Sequence, residues 1–582
     1  MSILNVLRSI PLIFFATCSV TMAQENDPEV TIYPARTVIT MNPDMPAVQA
    51  VAIAGDKIVG VGSVDELKLT LKDKKNHVDT RFMDKVIVPG FINQHEHPWL
   101  AALTLSTHVI AIEDWQLPEK NFPRARTQEE YRQLLAAAVG AHTRLQANPD
   151  EVFYSWGYHE LWHGSLSRSD LDAISNKVPI VIWQRSAHEL IFNTRAMEVF
   201  QLDQALVEQF PTSAREQLDL SEGHFWEQGA MMLVPRLFKA IATPERYIPA
   251  LKMVRQYWHS AGSTGSVEPG GLVNKALLDM QHQVFASADN PFHMDYIPDG
   301  KTMAYQHMDN LIPATEELLG WGAGMSRFLP KQVKLFTDGA IFSQLMQMKD
   351  GYLDGHEGEW IINPDLFQQA FQKYWDAGYQ IHVHQNGDAG LELLLDTVAA
   401  NMKRNPRPDH RTVVVHFGFS TQEQVQRIKE LGLIVSANPY YPVALANEYS
   451  RKGIGPERAK EMVRLGDVQR AGIPFSLHSD MPMAPGQTLF LMWSAVNRVT
   501  LDGNAVGPGQ RITPSQALYG VTLGAAYSLQ KEKQLGSIEA GKIANLTVLE
   551  ENPLTVEPRT IKDIKIWGTV HEGRLLPLAF TP

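Results

Sequence analysis

The stretch FINQHEHPWL, residues 91–100, decides the fold and points to the chemistry of this chain. It overlaps the apolar run KVIVPGF, residues 85–91, which has the composition of a buried β-strand. Side chains two positions apart on a strand point to the same face, so His95 and His97 are expected to project together. Two imidazoles that close are either a coincidence of composition or half of a metal site.

Short apolar strands alternate with helical patterns through the middle of the chain. Helical periodicity is clear in residues 364–378, 389–404 and 421–432. Besides KVIVPGF, the strand candidates are GSTGSVE, HMDYI, QVKLF, YQIHV, TVVVH, LIVSA and IPFSL. Strands that alternate with helices predict parallel βα units, and eight such units favour an α/β fold of the (β/α)₈ TIM barrel type over an open sheet.

Both ends of the chain consist of short alternating strands broken by Gly, Pro and Asp. This pattern predicts one small β-sandwich domain that is built from residues 24–86 and 535–582. The barrel domain would then occupy residues 87–534. A large insertion after barrel strand 1, about residues 104–247, contains the strand VPIVIW. Such an insertion lies at the mouth of a barrel, so we expect a lid or a substrate wall.

The N-terminal segment, residues 1–23, is typical of a secretory signal peptide. Arg8 precedes an apolar stretch that is too short to span a membrane, and cleavage is expected near Ala23. The sequence therefore predicts a secreted or periplasmic protein without stable membrane insertion. The single cysteine, Cys18, lies in this segment, which excludes disulfides and a cysteine nucleophile from the mature chain.

The charge balance bears on the partners of the chain. The formal net charge is -12, from 52 basic and 64 acidic residues, and no basic run compensates for it. This composition argues against nucleic-acid binding and says little about the substrate. A small-molecule substrate is the expected partner on the grounds of the predicted site described below. Formation of a homodimer stays open.

Polar residues stand at the ends of several predicted strands. Lys334 lies between two apolar residues, whereas His384, His416 and Asp480 follow later strands. Each residue alone has a structural alternative: a lysine can reach the surface along its stem, and an aspartate can cap the next helix. Since the carboxyl ends of barrel strands converge on one pocket, the whole set favours a metal site.

This mixture of residues suits divalent metal chemistry. Neutral imidazoles and carboxylates bind Zn²⁺ and similar ions. Two ions need more negative charge than this set provides, and a carbamate formed from CO₂ on Lys334 would supply a bridging carboxylate. The metals would activate a water molecule and polarise a carbonyl group. Asp480 would take the proton of the water and pass it to the leaving amine.

The same motifs resemble the amidohydrolase superfamily, and most closely its YtcJ-like branch of metal-dependent hydrolases, which includes N-substituted formamide deformylase. The resemblance rests on PGFINQHEH, VKLFTDGA, HVHQNGDAG, VVHFGFS and LHSDMP, in this order along the chain. The insertion is similar in WQRSAHELIFNTRAME and GHFWEQG, and residues 513–549 are similar to the closing signature of that family. The resemblance covers almost the whole mature chain.

The resemblance implies roles for particular residues. It implies that His95 and His97 bind the more buried metal at the first strand and that a carboxylated Lys334 bridges the two metals. His384 and His416, on the fifth and sixth strands, would bind the second metal. Asp480 would be the eighth-strand aspartate, and His188 in the insertion would face the substrate. A structural role for His188 is an equal alternative. His478 departs from the family pattern, which usually has a small residue there; His478 and His382 are interpreted as core fillers, with a role as partners of the metal-ligating residues as the alternative.

The sequence thus predicts an exported enzyme that hydrolyses a carbon–nitrogen bond other than a peptide bond, with two divalent ions, expected to be zinc. The substrate would be an N-substituted amide, a formamide, a carbamate or an N-acyl amino compound. One alternative is a mononuclear deaminase of a heterocycle. Lys334 distinguishes the predicted binuclear hydrolase from such deaminases, because they typically lack a bridging lysine. A second alternative is a non-catalytic binding or regulatory barrel, which would not need every ligand position filled.

Overall fold

The computed structural model describes residues 28–145, 148, 150–271 and 274–579. The predicted signal peptide, residues 1–23, lies outside these residues. Within the described ranges, no helix has both the length and the apolar character that crossing a membrane requires.

The first half of the chain contains the N-terminal strands and the insertion. Its strands are β1 (Val30–Ile39), β2 (Ala47–Ala54), β3 (Lys57–Gly62), β4 (Asn76–Val78), β5 (Val86–Pro89), β6 (Phe91–Asn93), β7 (His108–Val109), β8 (Trp115–Gln116), β9 (Asn121–Phe122), β10 (Phe153–Tyr158), β11 (Ile180–Gln184), β12 (Glu189–Phe192), β13 (Leu218–Asp219) and β14 (His224–Trp226). Its helices are α1 (Val64–Thr70), α2 (Pro98–Leu105), α3 (Gln128–Leu145), α4 (Glu160–His163), α5 (Arg168–Ile174), α6 (Thr194–Phe200), α7 (Gln204–Val207), α8 (Thr212–Arg215), α9 (Glu227–Ile241) and α10 (Pro244–Ser260).

The second half alternates strands and helices. Its strands are β15 (Ser263–Gly271), β16 (His293–Pro298), β17 (Ser326–Phe328), β18 (Gln332–Phe336), β19 (Gln380–Gln385), β20 (Val413–His416), β21 (Ile434–Ala437), β22 (Phe475–Leu477), β23 (Leu546–Leu549), β24 (Ile566–His571) and β25 (Arg574–Pro577). Its helices are α11 (Lys275–Phe285), α12 (Gly300–His307), α13 (Leu311–Glu317), α14 (Pro364–Asp376), α15 (Asp388–Arg404), α16 (Gln422–Leu431), α17 (Tyr440–Glu448), α18 (Pro456–Ala459), α19 (Leu465–Arg470), α20 (Thr488–Asn497), α21 (Pro514–Gly520) and α22 (Leu523–Ser528).

Strands from both ends of the chain form one sheet in the order β25-β24-β23-β5-β1-β2-β3, with β4 paired to β1. The ends meet where β5 pairs antiparallel with β23, which places Ile87 opposite Val548. Both residues are fully buried in one apolar cluster with Val38. The two chain ends therefore share one sheet, whereas a separate domain built from them and its arrangement as two sandwich layers remain predictions.

The run KVIVPGF is divided between two sheets. Residues 86–89 belong to the composite sheet as β5, whereas β6 begins at Phe91 and pairs parallel with β15. Gly90 makes this junction, because a Cβ atom there would lie 2.1 Å from Oγ1 of Thr264. The prediction of one continuous strand is wrong, since an apolar pattern does not reveal that a strand changes its partner sheet.

The parallel strands that carry the predicted site form two sheets, β17-β16-β15-β6 and β18-β19-β20-β21-β22. An isolated parallel bridge between Asp299 and Lys334 joins β16 to β18. In the described part of the chain, β22 and β6 share no ladder, so strand pairing does not close a barrel. Two backbone hydrogen bonds cross this seam beyond the strand ends: N–H of Asp480 donates to O of His95 (3.2 Å), and N–H of His97 to O of Met481 (3.1 Å).

The three clearest helical patterns of the sequence are helices in the structure, α14, α15 and α16. Helix α16 shows why: Thr421 and Gln424 form a capping box, and Gly432 ends the helix in the left-handed region with φ +74°. Val425 and Ile428 are buried on one face of the helix. The mixed α/β class that the alternation predicts is confirmed.

The insertion has its own sheet, in the order β13-β14-β12-β11-β10-β7, and the predicted strand VPIVIW contributes β11. A buried ion pair within the insertion, Arg185–Glu113, makes hydrogen bonds to the rest of the fold. Arg185, which follows β11, donates to both carboxylate oxygens of Glu113 (2.8 and 2.7 Å) and to O of Met483 (2.7 Å). The hydroxyl of Tyr440 also donates to Glu113 (3.0 Å). The insertion is thereby tied to the loop that carries Asp480.

Candidate metal centre

All seven residues that the sequence predicts for the site line one chamber. The chamber has a volume of about 80 Å³, and its wall includes His95, His97, His188, Lys334, His384, His416 and Asp480. Lys334 lies in the middle of β18, His188 comes from the insertion, and the others lie at or just after the carboxyl ends of β6, β19, β20 and β22. The sequence order of strand ends is thus converted into one convergent set of side chains.

His95 and His97 approach the same oxygen of Asp480. Their Nε2 atoms lie 3.3 and 3.0 Å from Oδ1 of that residue. The two rings are nearly perpendicular (89°), with centroids 5.2 Å apart. Because β6 is short and the chain turns into α2 at Pro98, both imidazoles face the chamber beside the loop that follows β22.

Two buried carboxylates support this first group. Oε1 of Glu268 lies 3.7 Å from Nδ1 of His97. Glu96 accepts hydrogen bonds from Oγ of Ser479 (2.5 Å) and N–H of Met481 (2.7 Å), and burial raises the pKa of Glu96 to about 8. Glu96, which separates the two imidazoles in sequence, therefore fastens the Asp480 loop to the end of β6.

Lys334, His384 and His416 form the opposite side of the chamber. The rings of His384 and His416 meet edge to face at 4.6 Å. Burial, and then the charge of Lys334, lowers the pKa of His384 well below its ordinary value, so this imidazole is neutral. Burial likewise lowers the pKa of Lys334 to about 7, against the attraction of Asp480 and Asp299. The neutral amine, which is the form that reacts with CO₂, is therefore well populated near neutral pH.

The backbone is strained at two of these positions. His416 has φ +74° and Asp480 has φ +60°, both in the left-handed region that favours glycine. Non-glycine residues in this region cost of order 1–3 kcal/mol each and cluster at functional sites. The strain turns the two side chains toward each other, with Nδ1 of His416 at 3.6 Å from Oδ2 of Asp480.

The donor atoms present fit a divalent metal ion. Ligand atoms of His95, His97 and Asp480 all lie within 4.8 Å of one another, and Oδ1 of Asp480 is buried without a well-formed hydrogen bond. Ligands 2.0–2.2 Å from a tetrahedral Zn²⁺ lie about 3.3 Å apart, close to the spacing of the nitrogen and oxygen atoms here. Neutral imidazoles and one carboxylate are the donors that zinc prefers.

The side chain of His188 is held by a partner that sequence reasoning missed. Nδ1 of His188 lies 2.8 Å from Oε2 of Glu227, and N–H of Glu227 donates to O of His188 (2.9 Å). Although burial opposes it, Glu227 raises the pKa of His188 above its ordinary value. The motif GHFWEQG contains Glu227, so the signal was present in the sequence without a role attached to it.

A larger cavity of about 610 Å³ lies beside the insertion. Ser343, Gln344 and Leu345 contribute to its wall, whereas Ile341 and Phe342, directly before them in the chain, line the small chamber. The short turn Ile341–Ser343 therefore lies between the two spaces. The ring centroid of Tyr441 lies 5.5 Å from that of Phe342, and the guanidinium carbon of Arg185 lies 5.1 Å from it. Both side chains pack against Phe342 and hold it in this wall.

An α/β fold whose strand ends direct imidazoles, a lysine and a carboxylate into one buried chamber has the architecture of a metal-dependent hydrolase. The chain belongs to the amidohydrolase family, whose family model matches residues 83–577. The resemblance and the prediction of a hydrolase that acts on carbon–nitrogen bonds other than peptide bonds are confirmed at the level of this family.

Individual relatives agree with this assignment. The chain is 24% identical to N-substituted formamide deformylase of Arthrobacter pascens over 548 residues. This alignment covers 90% of this chain and 94% of that protein. It is 24% identical over 249 residues to the protein described as amidohydrolase YtcJ of Bacillus subtilis, covering 42% and 46%. A solved structure of an uncharacterized metal-dependent hydrolase from Pyrococcus horikoshii has the same fold, with a TM-score of 0.67 and 19% identity over 91% of this chain and 99% of that one.

Proposed function

We propose that the protein is an exported metal-dependent amidohydrolase of a small molecule, acting on an N-substituted amide, a formamide, a carbamate or an N-acyl amino compound. The observation that carries the proposal is the chamber itself, in which His95, His97, Lys334, His384, His416 and Asp480 meet. The name of the Arthrobacter relative supports an N-substituted amide or formamide among these classes. The N-terminal signal-like segment supports export.

We assign the metal ligands in two groups. His95 and His97 would hold the first ion and His384 and His416 the second, a carbamate on Lys334 would supply a ligand to both, and Asp480 would be a further ligand of the first. Zinc is the proposed ion. When bound, such ions polarise a carbonyl group and lower the pKa of water. We propose that the eight strands that the sequence predicts form a barrel around this centre: β6, β15, β16, β18, β19, β20, β21 and β22. The bridge between Asp299 and Lys334 and the two backbone hydrogen bonds across the seam between β6 and β22 support this proposal.

Asp480 is proposed as the proton shuttle. Its two oxygens face different groups, with Oδ1 beside His95 and His97 and Oδ2 toward His416. A carboxylate in this central position reaches both a water molecule in the chamber and a substrate nitrogen. It accepts the proton of the attacking water at one oxygen and donates that proton to the departing amine.

His188 is proposed to bind substrate. Glu227 engages Nδ1, which leaves Nε2 as the nitrogen that can donate a hydrogen bond to a substrate oxygen. The chamber wall around His188 also contains Phe336, Phe342 and Tyr441. Because the space enclosed is about 80 Å³, we propose that a small acyl group occupies it and that the N-substituent extends toward the larger cavity.

The sequence predicts a composite β-domain of residues 24–86 and 535–582 and a hydrolase domain of residues 87–534; we propose this division with the first boundary moved to Gly90, because β5 belongs to the composite sheet. The shared sheet supports the association of the two ends. The insertion, about residues 104–247, then forms a lid-like wall, which the contact of Arg185 with the Asp480 loop supports.

The experiment that tests the function combines elemental analysis with an amine-release assay. The chain is loaded with zinc and bicarbonate, metal per chain is measured, and N-substituted formamides, acetamides and carbamates are assayed. About two ions per chain with amine release supports the proposal. About one ion with release of ammonia from heterocycles favours the deaminase alternative. No metal and no turnover would leave a binding protein.

A further inference from the structure

His478 lies beneath the chamber and contacts a proposed metal ligand directly. Its Nε2 atom is 3.0 Å from Nδ1 of His416, which is hydrogen-bond distance. Asp480, the other candidate partner of that nitrogen, is farther away at 3.6 Å. His478 is 1% exposed, so its ring has no solvent to replace this contact. The hydrogen bond of Nδ1 of His416 is therefore made to His478, on the side of the ring that faces away from the chamber.

The orientation of His478 argues that it is not itself a ligand beside His95. The two rings are stacked, with centroids 4.6 Å apart and planes inclined by only 17°. An imidazole binds a metal ion in the plane of its ring, along the lone pair of one nitrogen. Two rings stacked face to face cannot both direct a nitrogen in this way at one ion. His478 thus packs against one proposed ligand and hydrogen-bonds another.

The far side of His478 has its own partners. Its Nδ1 atom is 2.8 Å from Oγ of Ser436, which also accepts a hydrogen bond from the side-chain amide of Gln94. Oγ of Ser528 in turn donates to Oε1 of Gln94 (3.4 Å). These four residues are all buried and belong to β21, α22 and the segments that follow β6 and β22. The ring of His478 is therefore fixed from both of its nitrogens.

We propose that His478 is a positioning residue that fixes the ring orientation and tautomer of His416 for metal binding. The proposal rests on the proposed function, because it assumes the metal centre at His416. With its proton on Nδ1, His416 donates to Nε2 of His478 and keeps the lone pair of its own Nε2 for the ion. His478 then carries its proton on Nδ1 and donates to Ser436. Each imidazole thus donates one hydrogen bond through its Nδ1 proton and keeps a lone pair on Nε2. All the hydrogen bonds from His416 through His478 to Ser436 are donated in the same direction.

This role distinguishes His478 from His382, the other histidine beneath the chamber. His382 is equally buried and lies opposite Lys334 in the β18–β19 ladder, and its Nε2 atom is 3.1 Å from Oε1 of Gln332. The two histidines thus make a matched pair for comparison. His478 is within hydrogen-bond distance of the proposed ligand His416, and His382 is within hydrogen-bond distance of Gln332 on β18. Replacing either one removes a buried imidazole of the same size.

The test is the affinity for zinc, measured by competition with a chromogenic chelator on the metal-free full chain. We expect H478L to weaken the binding of the more weakly held ion about 10- to 100-fold, as loss of a partner of a ligating histidine typically does, and H382L to change it by less than about threefold. The absorption spectrum of the cobalt-loaded chain should change in H478L and not in H382L. H478Q, whose side-chain oxygen can accept the proton of His416, should recover part of the affinity.

Ser436→Ala gives a second route that changes little volume. It removes the acceptor of His478 and should weaken zinc binding by a smaller factor than H478L, and it decides the question if H478L does not fold. Unchanged affinity and cobalt spectrum in H478L or S436A overturn the positioning role, as does an equal loss in H382L. If the wild-type chain binds no metal, the proposed function itself fails, and that outcome is distinct because it precedes any variant.

Discussion

Asp480 is the single residue on which the proposed chemistry depends most. Replacement by Asn keeps the size and an oxygen ligand but removes the group that accepts a proton. We expect D480N to retain its metal and to lower kcat by a factor on the order of 10²–10⁴, the usual contribution of a positioned acid or base. Elemental analysis and steady-state kinetics check this. The exposed Asp396→Asn is the control, and substantial turnover in D480N would refute the shuttle.

Lys334 tests the bridging carbamate. Lys334→Ala should lower the metal content per chain, because it removes the ligand shared by both ions. Short carboxylic acids such as formate or acetate, added at high concentration, should restore part of the metal content and of the activity, since they fill the place of the carbamate. The arginine variant, which keeps a cation but cannot form a carbamate, serves as the control. Unchanged metal content without any rescue would contradict the bridge.

At the scale of residues, the sequence was sufficient for the positions that follow strands. His384, His416 and Asp480 could be placed because each ends an apolar run, and parallel strands bring such ends together. The contacts of His478 and Glu227 could not be predicted, because they depend on side-chain direction and on how the insertion docks. Hydrogen bonds between residues distant in sequence leave no periodic signal in either partner.

Among the elements, the turn Ile341–Ser343 controls the size of the chamber. We expect F342A to open the wall and to raise kcat/KM for amides with bulkier acyl groups about tenfold relative to the formyl compound, as expected for added space in an apolar pocket. The substitution should also cost about 3–5 kcal/mol of stability, since Phe342 is buried. Kinetics over an acyl series measure the shift, with exposed Leu353→Ala as the control. The same preference in F342A as in the wild type would exclude the turn from specificity.

The insertion depends on the buried pair Arg185–Glu113. Arg185→Met leaves Glu113 buried and unpaired, so we expect it to destabilise the protein by about 3–5 kcal/mol in urea unfolding. The double variant R185M/E113L removes both charges and should be more stable than R185M alone. As a control, Lys275→Met breaks the exposed pair with Asp279 and should cost less than about 1 kcal/mol. If R185M and K275M were equally mild, the pair would not hold the insertion.

At the scale of the whole molecule, the βα alternation was predictable, whereas the additional parallel strand β17 and the way in which the two sheets meet were not. Gly90 shows the reason: apolar periodicity continues through it while the chain leaves one sheet for another. The seam between β6 and β22 is likewise made by backbone atoms after the strands, in loops without a repeating pattern. Sheet membership and closure depend on contacts between distant parts of the chain.

Removal of metal should reveal how much the proposed ions contribute to stability. An ion that binds only the folded chain adds about 4 kcal/mol when its free concentration is 1,000 times the dissociation constant. We therefore expect a chelator to lower the Tm of the wild-type protein. His95→Ala, which removes a ligand of the first ion only, should show a smaller decrease of Tm on addition of the chelator than the wild type. An unchanged wild-type Tm, with metal removal verified by elemental analysis, would contradict this.

The seam also has a consequence for biosynthesis. His95 and His97 leave the ribosome early, and Asp480 emerges only when most of the chain has been made. Because these three side chains meet across the seam, a shortened chain that ends before Asp480 has only two of the three donors. An ion would therefore bind tightly only after Asp480 has been synthesised, so that metal binding marks a chain that is nearly complete.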